Sequence, residues 1–132
     1  MERVIQDNIT ELADNQIFVF GSNESGIHGA GAAKMAMSFG AEMDKGFGFS
    51  GNTFAIPTKD WDIQTLPLRD IEHYVRRFTA AARLYDKIEF LVTEIGCGLA
   101  GYKVGDIAPF FSEASRLPNV HMSKRFWEYL TL

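Results

Sequence analysis

The chain has 132 residues, 46% of them apolar and 23% charged, with a formal net charge of -4. That length suits one domain with a proper core, and the composition argues against disorder. The acidic balance disfavours a general nucleic-acid or anionic-membrane binder. The single cysteine, Cys97, excludes an internal disulfide and a zinc cluster built from cysteines.

Residues 1–15 are polar and acidic, unlike a secretory signal. No apolar run approaches the roughly 18 residues of a membrane span. The chain therefore reads as cytoplasmic, or as a phage or plasmid product acting in a cytoplasm. Ile5, Ile9 and Leu12 have helix-like spacing, while Val4 and Ile5 suit the start of an edge strand.

Ile17-Phe18-Val19-Phe20 is an aromatic and β-branched run, broken by Gly21-Ser22-Asn23, and predicts a strand buried on both faces. Gly26, Gly29 and Gly31 follow, then an Ala-rich helix over 30–41 whose apolar side is Ala32, Met35, Ala36 and Phe39. A strand, a glycine loop and a helix in this order present backbone N–H groups to a phosphate. His28 in that loop suits a hydrogen bond to a phosphate or ribose, or a loop cap.

Residues 44–52, rich in glycine and phenylalanine, read as a loop able to lie over a ligand. Thr53 to Pro57 forms a second short strand, stopped by Pro57, which places 58–62 just beyond its carboxyl end. Leu68 to Tyr85 is the clearest helix, with Pro67 near its start and Ile71, Val75, Phe78 and Ala82 on one face. A third strand lies within 87–94 and leads into a second glycine loop, 95–102. A further helix runs from Val104 or Asp106 to Ser115. Pro118 and Asn119 then turn the chain into a last apolar run, Val120-His121-Met122, ending near 127–129. Strands alternating with helices predict an α/β fold with a mostly parallel sheet, as one domain over 1–132.

Loops 21–31, 58–62 and 96–102 each follow a strand's carboxyl end, where open α/β sheets bind ligands. Two glycine loops suit a diphosphate held between backbone cradles. The glycines match neither G-x-G-x-x-G nor a P-loop. Gly21, Ser22, Asn23 and Thr58 are ligand candidates by position, as are Gly101 and Tyr102. Trp61, Phe47, Phe49 and Tyr102 are aromatic candidates for stacking, with core packing the stronger reading for the two phenylalanines. Cys97 reads as a small residue packed under a loop rather than a nucleophile, and Asp106 as a helix-start residue.

The order FVFGSN, HGAGAAKMA, TFAIPTKD, a long helix and IGCGLAGY resembles the macrodomain family, the terminal ADP-ribose glycohydrolase branch especially. The likeness covers roughly residues 17 to 115 as separated short motifs. It implies a three-layer α/β/α fold with a mostly parallel mixed sheet that binds ADP-ribose or an ADP-ribosylated molecule, with no metal or cofactor. By resemblance, Asn23 meets the distal ribose, and Gly29, Ala30, Gly31 and Ala32 contact the diphosphate. Gly96, Cys97, Gly98, Leu99 and Ala100 form the second cradle. Lys59 matches the branch's catalytic lysine, proposed to attack the anomeric carbon of the distal ribose. The hydrolases carry an aspartate where this chain has Ala100. Asp60, Asp62 and Asp106 are the candidate substitutes.

Overall fold

The structure is a computed structural model, and it describes residues 3–130. Five strands form one mixed sheet: β1 (Gln16–Asn23), β2 (Gly48–Ser50), β3 (Thr53–Lys59), β4 (Glu89–Val92) and β5 (Val120–Met122), in the order β2-β3-β1-β4-β5. The pairs β1–β3, β1–β4 and β4–β5 are parallel, and β2–β3 is antiparallel. Four α-helices stand among the described residues: α1 (Gly31–Ser38), α2 (Leu68–Leu84), α3 (Val104–Ile107) and α4 (Lys124–Leu130). The fold is thus α/β with a mostly parallel sheet. No helix of the described residues is long and apolar enough to cross a membrane.

Side chains alternate across β1, and so divide the core in two. Ile17 and Val19 join Phe54, Ile56, Phe90 and Val92 in a cluster shared with Ile71, Val75, Phe78 and Ala82 of α2. Phe18 and Phe20 belong to a second cluster with Ala55, Leu91 and the α1 residues Ala33 and Ala36. The first cluster is aromatic at its centre. Phe78 lies 5.3 Å from Phe54 and 5.4 Å from Phe90, both in edge-to-face geometry. Each such ring contributes about 1.5–3 kcal/mol by burial.

Several boundaries differ from the sequence expectation, for nonlocal reasons. β1 does not stop at Phe20, because Gly21, Ser22 and Asn23 pair with Ile56, Pro57 and Lys59. Nor does β3 stop at Pro57; β2 leaves it at Ala55, so Pro57 sits where β3 has become an edge and tolerates a missing N–H. The third strand is shorter than 87–94. Residues 48–50 are a strand rather than part of a covering loop. Phe49 packs edge-on to Phe54 at 4.9 Å and Tyr85 at 5.2 Å, and Phe47 packs on Phe54 and Tyr74.

Helix α1 ends at Ser38, short of 41. The helix expected over 104–115 is one α-turn followed by two 3-10 turns, Ala108–Phe111 and Ala114–Arg116; Pro109 removes the N–H that an α-helix would need there. Helix α2 follows expectation closely, and Asn119 donates from its amide to the Ala82 and Tyr85 carbonyls at its end. Near the N-terminus neither the helix nor the edge strand forms among the described residues: Val4 makes one isolated bridge to Met122, and Ile9 is buried in the second cluster.

His121 lies beside Leu91 in the β4–β5 ladder. Burial pushes its imidazole pKa down, outweighing the carboxylate of Glu89 at 3.5 Å.

Phe78→Ala should destabilise the fold by about 3–5 kcal/mol in urea denaturation. A loss below about 1 kcal/mol would mean that the aromatic cluster does not hold α2 to the sheet.

Candidate functional site

Sheet order places the cleft. From β1 the chain leaves towards β3, and from β4 it leaves in the opposite direction, towards β5. The carboxyl ends of β1 and β4 therefore flank a topological switch point, where open α/β sheets bind ligands. β1 pairs with β4 only through Val19, yet pairs with β3 as far as Asn23. β4 ends at Val92, opposite Val19, while β1 runs on. The loops that follow them line a cleft of about 510 Å³, within the range of small-molecule sites.

One wall is Gly29 to Ala33, where the first loop becomes α1; another is Gly96, Gly98, Leu99 and Ala100. Helix α1 has no side-chain cap and no acidic residue in its first turn. Among the described residues no hydrogen bond uses the N–H groups of Gly31, Ala32 or Ala33, or those of Gly98, Leu99 or Ala100. Six donors with no intramolecular partner thus border one cleft, and the helix adds a partial positive charge at its end.

Glycine has a different reason at different places. A Cβ on Gly26 would lie 2.3 Å from the Lys45 nitrogen, at φ +75, so the fold itself requires that glycine. A Cβ on Gly29 or Gly98 would meet nothing within 4 Å, and neither needs a left-handed backbone. The protein gives no reason for glycine there. A ligand pressed against the main chain would.

Lys59 lines the cleft because of a register shift. Pro57 pairs with Ser22 and Lys59 with Asn23, leaving Thr58 as the extra residue of a bulge. Thr58 is buried and also lines the cleft, with its hydroxyl directed at the Ser22 carbonyl at 3.3 Å. Asn23 lines it too, but its amide holds its own loop. Oδ1 accepts from Ser25 and from the Ile27 N–H, and Nδ2 donates to the Ile27 carbonyl at 2.8 Å. Gly21 and Ser22 complete that side, with the Ser22 hydroxyl donating to the Gly46 carbonyl.

Other candidates lie outside the lining residues. The Nε2 of His28 donates to the Glu42 carbonyl, and the ring stands edge-on to Phe20. Asp60 Oδ1 accepts from the N–H groups of Asp62 and Gln64, forming its own turn. Asp106 accepts from the Lys103 N–H. Cys97 turns its sulfur to the Ile95 carbonyl, and burial, followed by the charge of Glu94, pushes its thiol up to about 11. Gly101 closes the loop by a bond to Gly98, and the Tyr102 hydroxyl donates to the Leu66 carbonyl at 2.6 Å. Trp61 is exposed. Among the described residues no group of three His, Cys, Asp or Glu side chains is placed to hold a metal.

The lining also includes Ile27, Ile63, Thr93, Glu94 and Ile95, none of which sequence reading named as ligand residues. The rule that singled out loops after strands would have reached Thr93 and Glu94, the residues directly after β4. Ile63 has φ 62, an unusual conformation for a β-branched residue that stores strain beside the cleft. Its segment is tied to the second glycine loop by the Thr65 hydroxyl, which donates to the Ala100 carbonyl at 3.1 Å.

Glu94 is the one carboxylate among these lining residues. Ser123 donates to its Oε2 at 2.6 Å and Arg125 Nε to the same oxygen at 3.0 Å, while Arg125 Nη2 donates to Oε1. Burial pushes the carboxyl up, but these bonds and the Arg125 charge outweigh it and hold it below its ordinary value. The Ser123 hydroxyl also accepts from the Phe126 N–H, which caps α4.

Beyond Glu94 lies a second chamber of about 430 Å³. It shares Gly31, Ala32, Thr93 and Glu94 with the first and adds Asp7, Asn8, Phe18, Met35 and Arg125 among others.

Gly29→Ala and Gly98→Ala should keep or raise stability, by up to about 1 kcal/mol, while Gly26→Ala lowers it; thermal melts of the three variants check this. The folded Glu94 carboxyl titrates below its unfolded value of roughly 4.3. Its stabilisation is therefore complete above that pH and disappears as pH falls through the folded value. Glu94→Gln should cost stability near pH 7 and much less near pH 3. Equal losses at both would show that the charge is not what matters.

Comparison of the chain with protein-family models, curated proteins and solved structures finds no match.

Proposed function

We propose that the chain is a three-layer α/β/α, macrodomain-like module that binds ADP-ribose or an ADP-ribosylated molecule across the two glycine loops. The observation that carries this reading is the pair of open glycines, Gly29 and Gly98, lining one cleft beside unpartnered backbone N–H groups. An anion is the natural occupant of such a cradle. The two chambers, which share four lining residues, extend the argument. A diphosphate held between Gly29–Ala30 and Gly98–Ala100, in the first chamber, would let the adenosine cross beside Gly31 and Ala32 into the second, with adenine suited to the apolar Phe18 and Met35 there.

Hydrolysis is the second reading, and Lys59 in the cleft wall is what favours it. The aspartate expected to work with it has no counterpart in Asp60, whose Oδ1 accepts two backbone N–H groups of its own turn. Glu94 is the carboxylate available in the cleft. Binding is accordingly the conclusion, and turnover is subordinate to it.

Isothermal titration calorimetry with ADP-ribose is expected to give micromolar affinity, about -8 kcal/mol, with AMP weaker. Gly29→Glu and Gly98→Glu, which have room for a side chain, should fold normally and lose binding. Retained affinity in both would remove the ligand from this cleft. Loss of turnover with binding retained in Lys59→Ala would promote the hydrolase reading, while absence of turnover in the unsubstituted protein would end it.

A further inference from the structure

Glu94 occupies a position that constrains which nucleotides fit. It lines both chambers, on the border they share with Gly31 and Ala32. In ADP-ribose the adenosine ribose lies between adenine and diphosphate. With the diphosphate on the glycine loops and adenine in the second chamber, that ribose must cross the border beside Glu94. This step rests on the function proposed above.

We infer that Glu94 reads the hydroxyls of the adenosine ribose and rejects a ligand phosphorylated there. A carboxylate offers about four lone-pair positions. Three are used here, by Ser123 and by two nitrogens of Arg125. One remains to accept a ribose hydroxyl, the interaction by which an acidic side chain distinguishes a free 2′-hydroxyl in dinucleotide sites. Its bonds to Ser123 and Arg125 keep the carboxyl ionised and fixed in direction.

Arg125 raises the opposite expectation, since a guanidinium also suits a ribose phosphate. Two features decide against it. Its Nε and Nη2 are engaged by Glu94, and its side chain is 68% exposed against 20% for Glu94. Asp7 lines the same chamber, giving two carboxylates to one guanidinium. An added phosphate would enter a locally acidic site in a chain of net charge -4. Like charges brought together in this way oppose binding strongly.

The test is calorimetric titration with ADP-ribose and with its adenosine 2′-phosphate derivative. The unsubstituted protein is expected to prefer ADP-ribose by roughly tenfold or more. Glu94→Gln should bring the ratio towards one, and Arg125→Gln, which unmasks the carboxylate, should widen it. Near-equal binding of both ligands to the unsubstituted protein overturns the inference and leaves the binding function standing. A preference that persists unchanged in Glu94→Gln overturns it as well. Should Glu94→Gln fail to fold, the unsubstituted ratio and Arg125→Gln still decide. No binding of either ligand removes the function and the inference together.

Discussion

Parallel pairing of β1 with β3 on one side and β4 on the other is the constraint from which the cleft follows. Parallel strands deliver their following loops to the same sheet edge. The hydrophobic alternation of β1 fixes that pairing, because a one-residue slip would exchange Phe18 and Phe20 with Ile17 and Val19 between two differently shaped clusters. The chain leaves β1 and β4 in opposite directions, so their loops separate and leave a crevice. The cleft is a product of sheet order before it is a product of any particular side chain.

Polar residues around that crevice mostly hold the walls. Asn23 fastens the turn to Ile27, Asp60 fastens the turn after β3, and Tyr102 and Thr65 join that turn to the second glycine loop. Each bond pairs a polar group of the wall and fixes the turn that carries it. The strained backbone at Ile63 belongs to the same connected wall. Two positions, Lys59 and Glu94, place ionisable side chains in the lining, one at the end of β3 and the other just after β4.

Local signals made much of this legible in the sequence. Helix α2 is a long periodic segment, and its bounds came within a residue. The strand cores around 17–20 and 53–57 stood out as apolar runs, and the glycine loops stood out by composition. What escaped local reading depends on a distant partner. Strand β2 lies in a glycine-rich stretch and gains its conformation from β3 and from the pockets that Phe54 and Tyr85 provide for Phe49. The bulge at Thr58 exists only as a mismatch between two strands. His28 and Asp60 have the right chemistry for a ligand, but the Glu42 carbonyl holds Nε2 of His28 and the Asp62 and Gln64 N–H groups hold Oδ1 of Asp60. Helix α4 begins at a serine whose capping role depends on where β5 ends.

The walls formed by Gly29 to Ala33 and by Gly98 to Ala100 offer main chain where most sites offer side chains. Peptide N–H groups do not titrate in the physiological range, and no substitution other than proline deletes one. A pH dependence would therefore enter through a lining carboxylate such as Glu94, and the cradle's own donors would attract the proposed anion equally at any physiological pH. Sequence change there would act by filling space, leaving the donors themselves in place. Under the proposed function, one added side chain at Gly29 or Gly98 would remove the ligand and one reversion would restore it, since a Cβ at either position meets nothing within 4 Å.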